Sequence, residues 1–309
     1  MLALSKHTFT GRSMRCVDLF AGCGGLSLGF QNAGFDVVAA FDRWDAAVEI
    51  YKENFDHPIF EADLYRDEVV EQIGGFKPDI IIGGPPCQDF SIAGARQRGV
   101  RANLTIRYAQ IIDELKPEWF AMENVYNIER MDVLPEALAI FKGAGYGLTK
   151  RVLNASLCGV PQARRRFILV GHLGDEDDFL GAALDSHLAK EPMTVRDYLG
   201  DSLGTQYYYM HPRNFNRRGV FSIDEPAVTV RGTNRPIPPS YKRHHADKAD
   251  ISEGVRALTF KERSYLQTFP EWFKFPGSKT NVEQAIGNAV PVKLGEYVAR
   301  RIMEYIAEQ

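Results

Sequence analysis

Only four cysteines occur in 309 residues, Cys16, Cys23, Cys87 and Cys158, and no two form a CxxC pair or stand beside spaced histidines. That scarcity argues against a disulfide framework and against a zinc site, so no metal is expected and a reducing cytoplasm is the natural setting. No apolar run is long enough to span a bilayer, and Met1 to Gly11 lacks a signal-peptide core, so neither a membrane anchor nor export is expected. Charge of one sign is also missing. With 37 Lys plus Arg against 40 Asp plus Glu, the formal charge of −3 excludes a uniformly basic surface, and a polyanionic partner must be met by local clusters. No internal repeat is present. The length accommodates one large domain, or a large and a small one.

What is present is an α/β rhythm from Cys16 to about Gly171. Short apolar runs, CVDLF, VVAAF, DIIIGG, WFAMEN and RFILVG, alternate with segments such as 45–54 and 106–115 whose apolar residues recur at three- and four-residue intervals. The pattern predicts a doubly wound, mostly parallel sheet. Residues 172–254, rich in Pro, Tyr, Arg and Asn and including RGTNRPIPPSYKRHH, break the rhythm and predict a second, smaller domain. Beyond them LTFKERSYLQTFP predicts a helix stopping at Pro270, and Val292 to Glu308 a terminal helix that packs back on the first sheet. The expected organisation is a loose tail (1–14), a first domain (15–171), a second domain (172–275) and a returning C-terminal segment (276–309).

Two turns carry the chemistry. Asp18-Leu-Phe-Ala-Gly-Cys-Gly-Gly25 follows the first strand, and its glycines let backbone pass close to a ligand before a helix begins near Leu26. A nucleotide is the usual occupant of such a turn, with an acid at the end of the second strand, here Asp42, bonding ribose hydroxyls. A ligand-free left-handed turn and a dinucleotide-dependent dehydrogenase are the competing readings of these glycines alone, with a bound ligand favoured over none. Gly83-Gly-Pro-Pro-Cys-Gln-Asp-Phe-Ser91 follows the strand DIII, which puts Cys87 in the crevice at the carboxyl end of the sheet. Prolines stiffen that turn, so the thiol is presented as a nucleophile rather than packed, unlike Cys16 and Cys158 inside or near apolar runs.

With these residues in view, the chain from Arg15 onward resembles the DNA (cytosine-5)-methyltransferases of bacterial restriction-modification systems. The similarity lies in five ordered motifs: FAGCGG, GGPPCQDFS, MENV at 122–125, QARRR at 162–166, and AIGNAVP at 285–291. It implies a Rossmann-like S-adenosylmethionine-dependent methyltransferase sheet with a target-recognition domain over 172–275. Two positions depart from the family: Asp42 replaces a common Glu, and Arg43 stands where an aromatic often packs on adenine, with Trp44 adjacent.

The resemblance implies roles residue by residue. Cys87 adds to C6 of cytosine, and Glu123, a carboxyl whose pKa burial would raise, bonds N3 and the amino edge. Arg164 is expected to supply the positive field for Cys87, and Arg166 to tie loops together. S-adenosylmethionine, leaving as S-adenosylhomocysteine, is expected among Phe20, Gly22, Gly24, Asp42, Asp63, Leu104, Asn288, Ala289 and Val290. DNA is expected to meet Pro86, Gln88, Ser91, Arg96, Arg98, Gln162, Arg166, Thr229, Val230 and Arg231. The target base must leave the duplex, so a basic lid over 91–107 with Arg96, Arg98, Arg101 and Arg107 is expected. So is a basic recognition stretch over 211–248 with Tyr241, His244 and His245.

The expected function is therefore methylation of a flipped cytosine in double-stranded DNA by a cytoplasmic monomer, with a cognate restriction endonuclease in the same system. Three alternatives remain open at this point: the same chemistry on tRNA, a nicotinamide-dependent oxidoreductase, and a catalytically silent DNA-binding protein.

Overall fold

The computed structural model describes residues 13–86, 103–214 and 216–309. Cys87, Gln88, Ser91, Arg96, Arg98 and Arg101 lie outside the described residues, as do 1–12.

The chain lays down β1 (Arg15–Leu19), α1 (Gly25–Asn32), β2 (Asp36–Asp42), α2 (Asp45–Lys52), β3 (Ile59–Glu61), α3 (Asp67–Gly75) and β4 (Ile80–Gly83). Then come α4 (Leu104–Leu115), β5 (Trp119–Val125), α5 (Val133–Gly143), β6 (Tyr146–Asn154), β7 (Gln162–Ala163) and β8 (Arg165–Leu173). Seven strands form one sheet in the order β3-β2-β1-β4-β5-β8-β6. The first five run parallel, whereas β8 lies antiparallel to both of its neighbours. Central β4 is buried over its whole length, as a strand covered on both faces requires, which is why DIII reads as a continuous apolar run.

Both faces are covered by helices. On one, Val69, Val70 and Ile73 of α3, Ile111 and Ile112 of α4 and Phe141 of α5 share a core with Val17, Leu19 and Ile81. On the other, Leu26 and Phe30 of α1 meet Leu180 and Leu184 around α6 (Gly181–Ser186) and the terminal helix α10 (Val292–Glu308). Helix α10 buries Leu294, Val298 and Ile302, one stripe at four-residue spacing, so it packs back on the first sheet. The contact with α1 is close: a Cβ at Gly29 would stand 2.6 Å from Val292 O and Glu296 N, and one at Gly25 would stand 2.2 Å from the carbonyl oxygen of Val290, just before α10.

Before α10 the chain adds α7 (Val195–Leu199), β9 (Tyr207–Tyr209), β10 (Val220–Ser222), β11 (Ala227–Val228), β12 (Arg256–Ala257), α8 (Phe260–Leu266) and α9 (Lys279–Asn288). Strands β10-β9-β12 make a small second sheet. Asp247 holds its loops, accepting from the backbone N–H groups of Gly219, Val220 and His244 and from the Tyr241 hydroxyl. A capping box between Thr259 and Glu262 starts α8, which stops at Leu266, several residues before Pro270. A third core joins this unit to α1 and α2 through Leu28, Ile50, Phe221, Leu266, Phe269 and Ile286. Among the described residues no helix is long and apolar enough to cross a membrane.

Candidate active site

Strand register aligns the site. Leu19 pairs with both Phe41 and Gly83, and Gly83 pairs with Met122, so the next residues, Phe20, Asp42, Gly84 and Glu123, form one row at the carboxyl edge. That row opens into a cavity of about 830 Å³ whose wall includes Phe20, Gly22, Asp42, Asp63, Leu104, Pro86, Glu123, Arg164, Arg166, Asn288, Ala289 and Val290. The volume lies in the range of ligand sites.

At the β1–β2 end, Asp42 organises the glycine turn. Its Oδ2 accepts from Gly22 N–H at 2.7 Å and its Oδ1 from Trp44 N–H at 2.8 Å. Burial pushes its pKa up, and those N–H groups together with that of Arg43 oppose the shift. Gly22 has φ 56 and open space where a Cβ would stand, so its backbone can touch a ligand directly. Phe20 also has positive φ, at 60, a costly backbone conformation for a non-glycine and one that clusters at binding sites. Gly24 is not part of the wall: a Cβ there would stand 2.3 Å from the Phe55 ring.

At the β5–β8 end stands an ion pair. Val125 lies opposite Arg166 across the antiparallel pair, so Arg166 and Glu123 are diagonal neighbours on one face. Arg166 Nε approaches Glu123 Oε1 at 2.7 Å, with each side chain 12% exposed. Burial pushes the Glu123 pKa up, while Arg166 and then Arg164 oppose it. A side chain on Gly84 would press on the Glu123 carboxylate, its Cβ 3.3 Å from Oε2. Asn124, which the sequence reading passed over, donates from Nδ2 to the Pro85 carbonyl at 2.8 Å and so ties the Pro-Pro turn to β5.

The two arginines are held differently from one another, and Cys87, whose field Arg164 was expected to supply, lies outside the described residues. Arg164 is buried and its guanidinium donates to the carbonyls of Val230, Gly287 and Ala289 at 2.9, 3.1 and 3.0 Å, which makes it the loop clamp. Burial lowers its pKa, with Arg166 adding to the shift, and the three carbonyls hold the charge in place. Arg166, expected to tie loops, is the one that faces Glu123.

Three further placements correct the sequence reading. Gln162, expected against DNA, is fully buried: its amide donates to Leu266 O and Gln267 Oε1 and accepts from Val230 N–H. Val230 is buried with it in the third core, because β7 pairs with β11 and draws both inward. Arg107, expected on a lid, sits in the first turn of α4, where its Nε donates to Leu64 O at 2.7 Å beside Asp67. Thr229 is half-buried and donates to Ala163 O. Arg231 donates to His211 O and lies near Arg213 and Arg217, which with burial lower its pKa, and near Arg263.

Three of the four thiols are buried, and burial raises their pKa values, to about 12 for Cys23 and Cys158 and well upward for Cys16. None of them is poised to attack a substrate. Among the described residues no group of three His, Cys, Asp or Glu side chains is arranged to hold a metal.

These features define an enzyme of the class that holds a nucleoside-bearing ligand along the carboxyl edge of a mostly parallel sheet, with a buried acid beside it. Residues 14–304 match the family model described as C-5 cytosine-specific DNA methylase, and the chain belongs to that family. It is 54% identical to the Type II methyltransferase M.HindV of Haemophilus influenzae over 96% of this chain and 98% of that protein. It is 50% identical to the Type II methyltransferase M.HgiDI of Herpetosiphon aurantiacus over 95% of each. The fold is shared with the S. pombe Dnmt2 methyltransferase, with TM-score 0.69 and 17% identity over 96% of this chain and 99% of that one.

Proposed function

We propose that the protein methylates C5 of a cytosine in double-stranded DNA, using S-adenosylmethionine, as the modification enzyme of a restriction-modification system. The observation that carries this reading is the Glu123–Arg166 pair in the same cavity wall as Asp42, Asp63 and Pro86, the residue that precedes Cys87. It acts in the cytoplasm as a monomer, beside a cognate endonuclease.

Bound S-adenosylmethionine supplies an electrophilic methyl group. Asp42 would hold its ribose hydroxyls and Asp63 its adenine amino group, with Gly22 and Phe20 in the same cavity wall. The Cys87 thiolate adds to C6 of an extruded cytosine, which shifts the ring's electron pair to C5. Glu123 donates a proton or a strong hydrogen bond to N3, a task that its burial-raised pKa favours. C5 takes the methyl group and S-adenosylhomocysteine is left; a base removes the C5 proton, N3 returns its proton to Glu123, and the thiolate leaves as C5–C6 unsaturation returns. Arg166 orients Glu123. Arg164 acts at one remove, fixing the backbone of the 287–289 wall against the recognition segment.

The basic cluster on the small unit is the reading's DNA-facing surface. Exposed Arg213, Arg217 and Arg235 surround Arg231 and His211, whose pKa burial and then Arg235 and Arg231 lower. Such a cluster suits phosphates and guanine edges. The test is transfer of labelled methyl from S-adenosylmethionine to unmethylated DNA, with tRNA and a Cys87→Ser protein in parallel. Label in 5-methylcytosine of DNA, lost in the variant, is expected. Label in tRNA alone moves the substrate, and no label in either refutes the reading.

A further inference from the structure

Several arginines of this protein are matched to acids: Arg151, Arg218 and Arg256 each bond a carboxylate. Arg165 is not. It is exposed and forms no ion pair among the described residues. Its guanidinium lies instead over the ring of Tyr126, 5.0 Å from the centroid. Tyr126 is 39% exposed, one of five large apolar side chains left in solvent among the described residues. A guanidinium laid on a ring keeps its in-plane N–H donors free, so the stack fixes the direction of the group without using its hydrogen bonds.

The strand pairing fixes where that group stands. Arg166 lies opposite Val125 across β8 and β5, so Arg165 is level with the next residue, Tyr126, at the carboxyl edge of the sheet. Side chains alternate along a strand. Arg166 faces the cavity, and Arg165 points to the other face, the side on which Phe167 and Leu169 enter the first core, and takes no part in the cavity wall. Its backbone is held from two directions: its carbonyl accepts from the Arg166 guanidinium at 2.8 Å, and it pairs with Asn154 of β6. Tyr126 opens a 3-10 turn, Tyr126–Arg130, that Ile128 anchors in the core. Arg130 at the end of that turn is exposed and likewise forms no ion pair among the described residues, and Glu129, the acid of the turn, pairs with neither arginine.

An anchored cation with free, planar donors fits an anion with several acceptor oxygens, and the backbone phosphate is the anion that DNA presents everywhere along its length. We infer that Arg165, shelved on Tyr126, grips a backbone phosphate of the duplex on the large-domain side of the cavity. The inference rests on the DNA reading above and adds a second point of hold to it. Arg213, Arg217 and Arg235 all stand on the small unit, and a duplex gripped there alone could pivot. A fixed contact on the large domain sets its register against Glu123, because phosphate contacts orient a duplex while carrying no sequence information.

Bisulfite sequencing of plasmid DNA treated with the wild-type protein first maps the methylated sites; if none appears, the DNA reading itself fails, apart from this contact. A duplex carrying one mapped site is then titrated by fluorescence anisotropy between about 50 and 200 mM salt. The proteins compared are the wild type, Arg165→Gln, Tyr126→Leu and, as a control for the loss of one charge, Lys52→Gln at the far end of α2. One lost phosphate contact lowers the slope of log affinity against log salt by about 0.9, so over that range Arg165→Gln should lose about 3- to 4-fold less affinity than the wild type loses. At the low-salt end it should bind about 10-fold more weakly than the wild type. Tyr126→Leu keeps the charge and removes the shelf; it should keep the wild-type slope and bind about 2- to 5-fold more weakly. The same sites should be methylated by Arg165→Gln as by the wild type. An Arg165→Gln slope equal to that of the wild type overturns the inference, as does an equal change in Lys52→Gln, which would make the effect one of net charge. A widened or altered set of methylated sites would make Arg165 a base reader and overturn it too, and wild-type affinity in Tyr126→Leu would remove the shelf.

Discussion

Replacing Arg166 with Met removes one half of a buried ion pair and leaves Glu123 with a choice that pH controls. Both side chains are 12% exposed and meet at 2.7 Å, so stranding an ionised Glu123 costs about 3–5 kcal/mol. The alternative is to protonate it, which costs about 1.4 kcal/mol for each pH unit above its native pKa. In the wild type that pKa already lies above the ordinary value, because burial outweighs Arg166 and Arg164. Without Arg166 it rises further. The sign follows: below the wild-type native pKa both proteins carry protonated Glu123, and the variant loses only packing. Between the wild-type and variant pKa values the unfolded and wild-type carboxylates are ionised while the variant's is not, so destabilisation grows by about 1.4 kcal/mol per pH unit. Above the variant's pKa it levels off. Urea unfolding of both proteins at unit intervals from pH 5 to pH 9 measures the difference. A gap that does not change with pH would refute the pairing, since a loss of packing alone is indifferent to protons.

Three other outcomes follow from the same geometry. Cys87→Ser should abolish methyl transfer yet keep S-adenosylhomocysteine binding, and iodoacetamide at pH 8 should label Cys87 well ahead of Cys16, Cys23 and Cys158, whose buried thiols resist ionisation; equal labelling by peptide mass mapping would contradict this. Gly25→Ala drives a methyl group into the Val290 carbonyl and should destabilise the protein by about 1–3 kcal/mol, seen as a lower denaturant midpoint; an unchanged midpoint would mean that α1 and the segment just before α10 are not packed so closely. The Tyr51 hydroxyl donates to Ser27 and its oxygen lies 2.6 Å from His57 Nε2, so His57, whose pKa burial lowers to about 4, should stay neutral at pH 6 with its proton on Nε2; a nitrogen-15 NMR titration showing the Nε2 site unprotonated would contradict that hydrogen-bond order.

The sheet, its helices and the terminal helix were legible because each rests on a local pattern. DIIIGG is apolar throughout since β4 is covered on both faces, and the stripe Leu294, Val298, Ile302 repeats once per turn. The rows of acids were legible too, as strand ends are visible in a sequence. What stayed hidden depends on register between distant strands. That Arg166 and not Arg164 reaches Glu123 follows from the pairing of Val125 with Arg166, which no local pattern in QARRR announces. Gln162 and Val230 were expected against DNA from the motifs they stand in; the β7–β11 pairing and the bond from Val230 N–H to the Gln162 amide oxygen hold them inside.

The clamp at Arg164 also sets where this molecule can be cut and rejoined. One guanidinium holds Val230 from the basic segment and Gly287 and Ala289 from the ligand wall, and the Gln162–Gln267 pair bonds the same two regions from behind. Residues 227–231 therefore belong, mechanically, with the catalytic sheet, although in sequence they lie amid the stretch proposed to face DNA. Chimaeras that import another protein's small sheet while keeping 227–231 and 258–290 retain every partner of that guanidinium. A junction placed at 230 separates the arginine from its carbonyls and leaves a buried cation unpaired. Exchange of target sites between relatives is thus confined to seams on either side of this short strand, and its position marks the border between the part that can vary and the part that cannot.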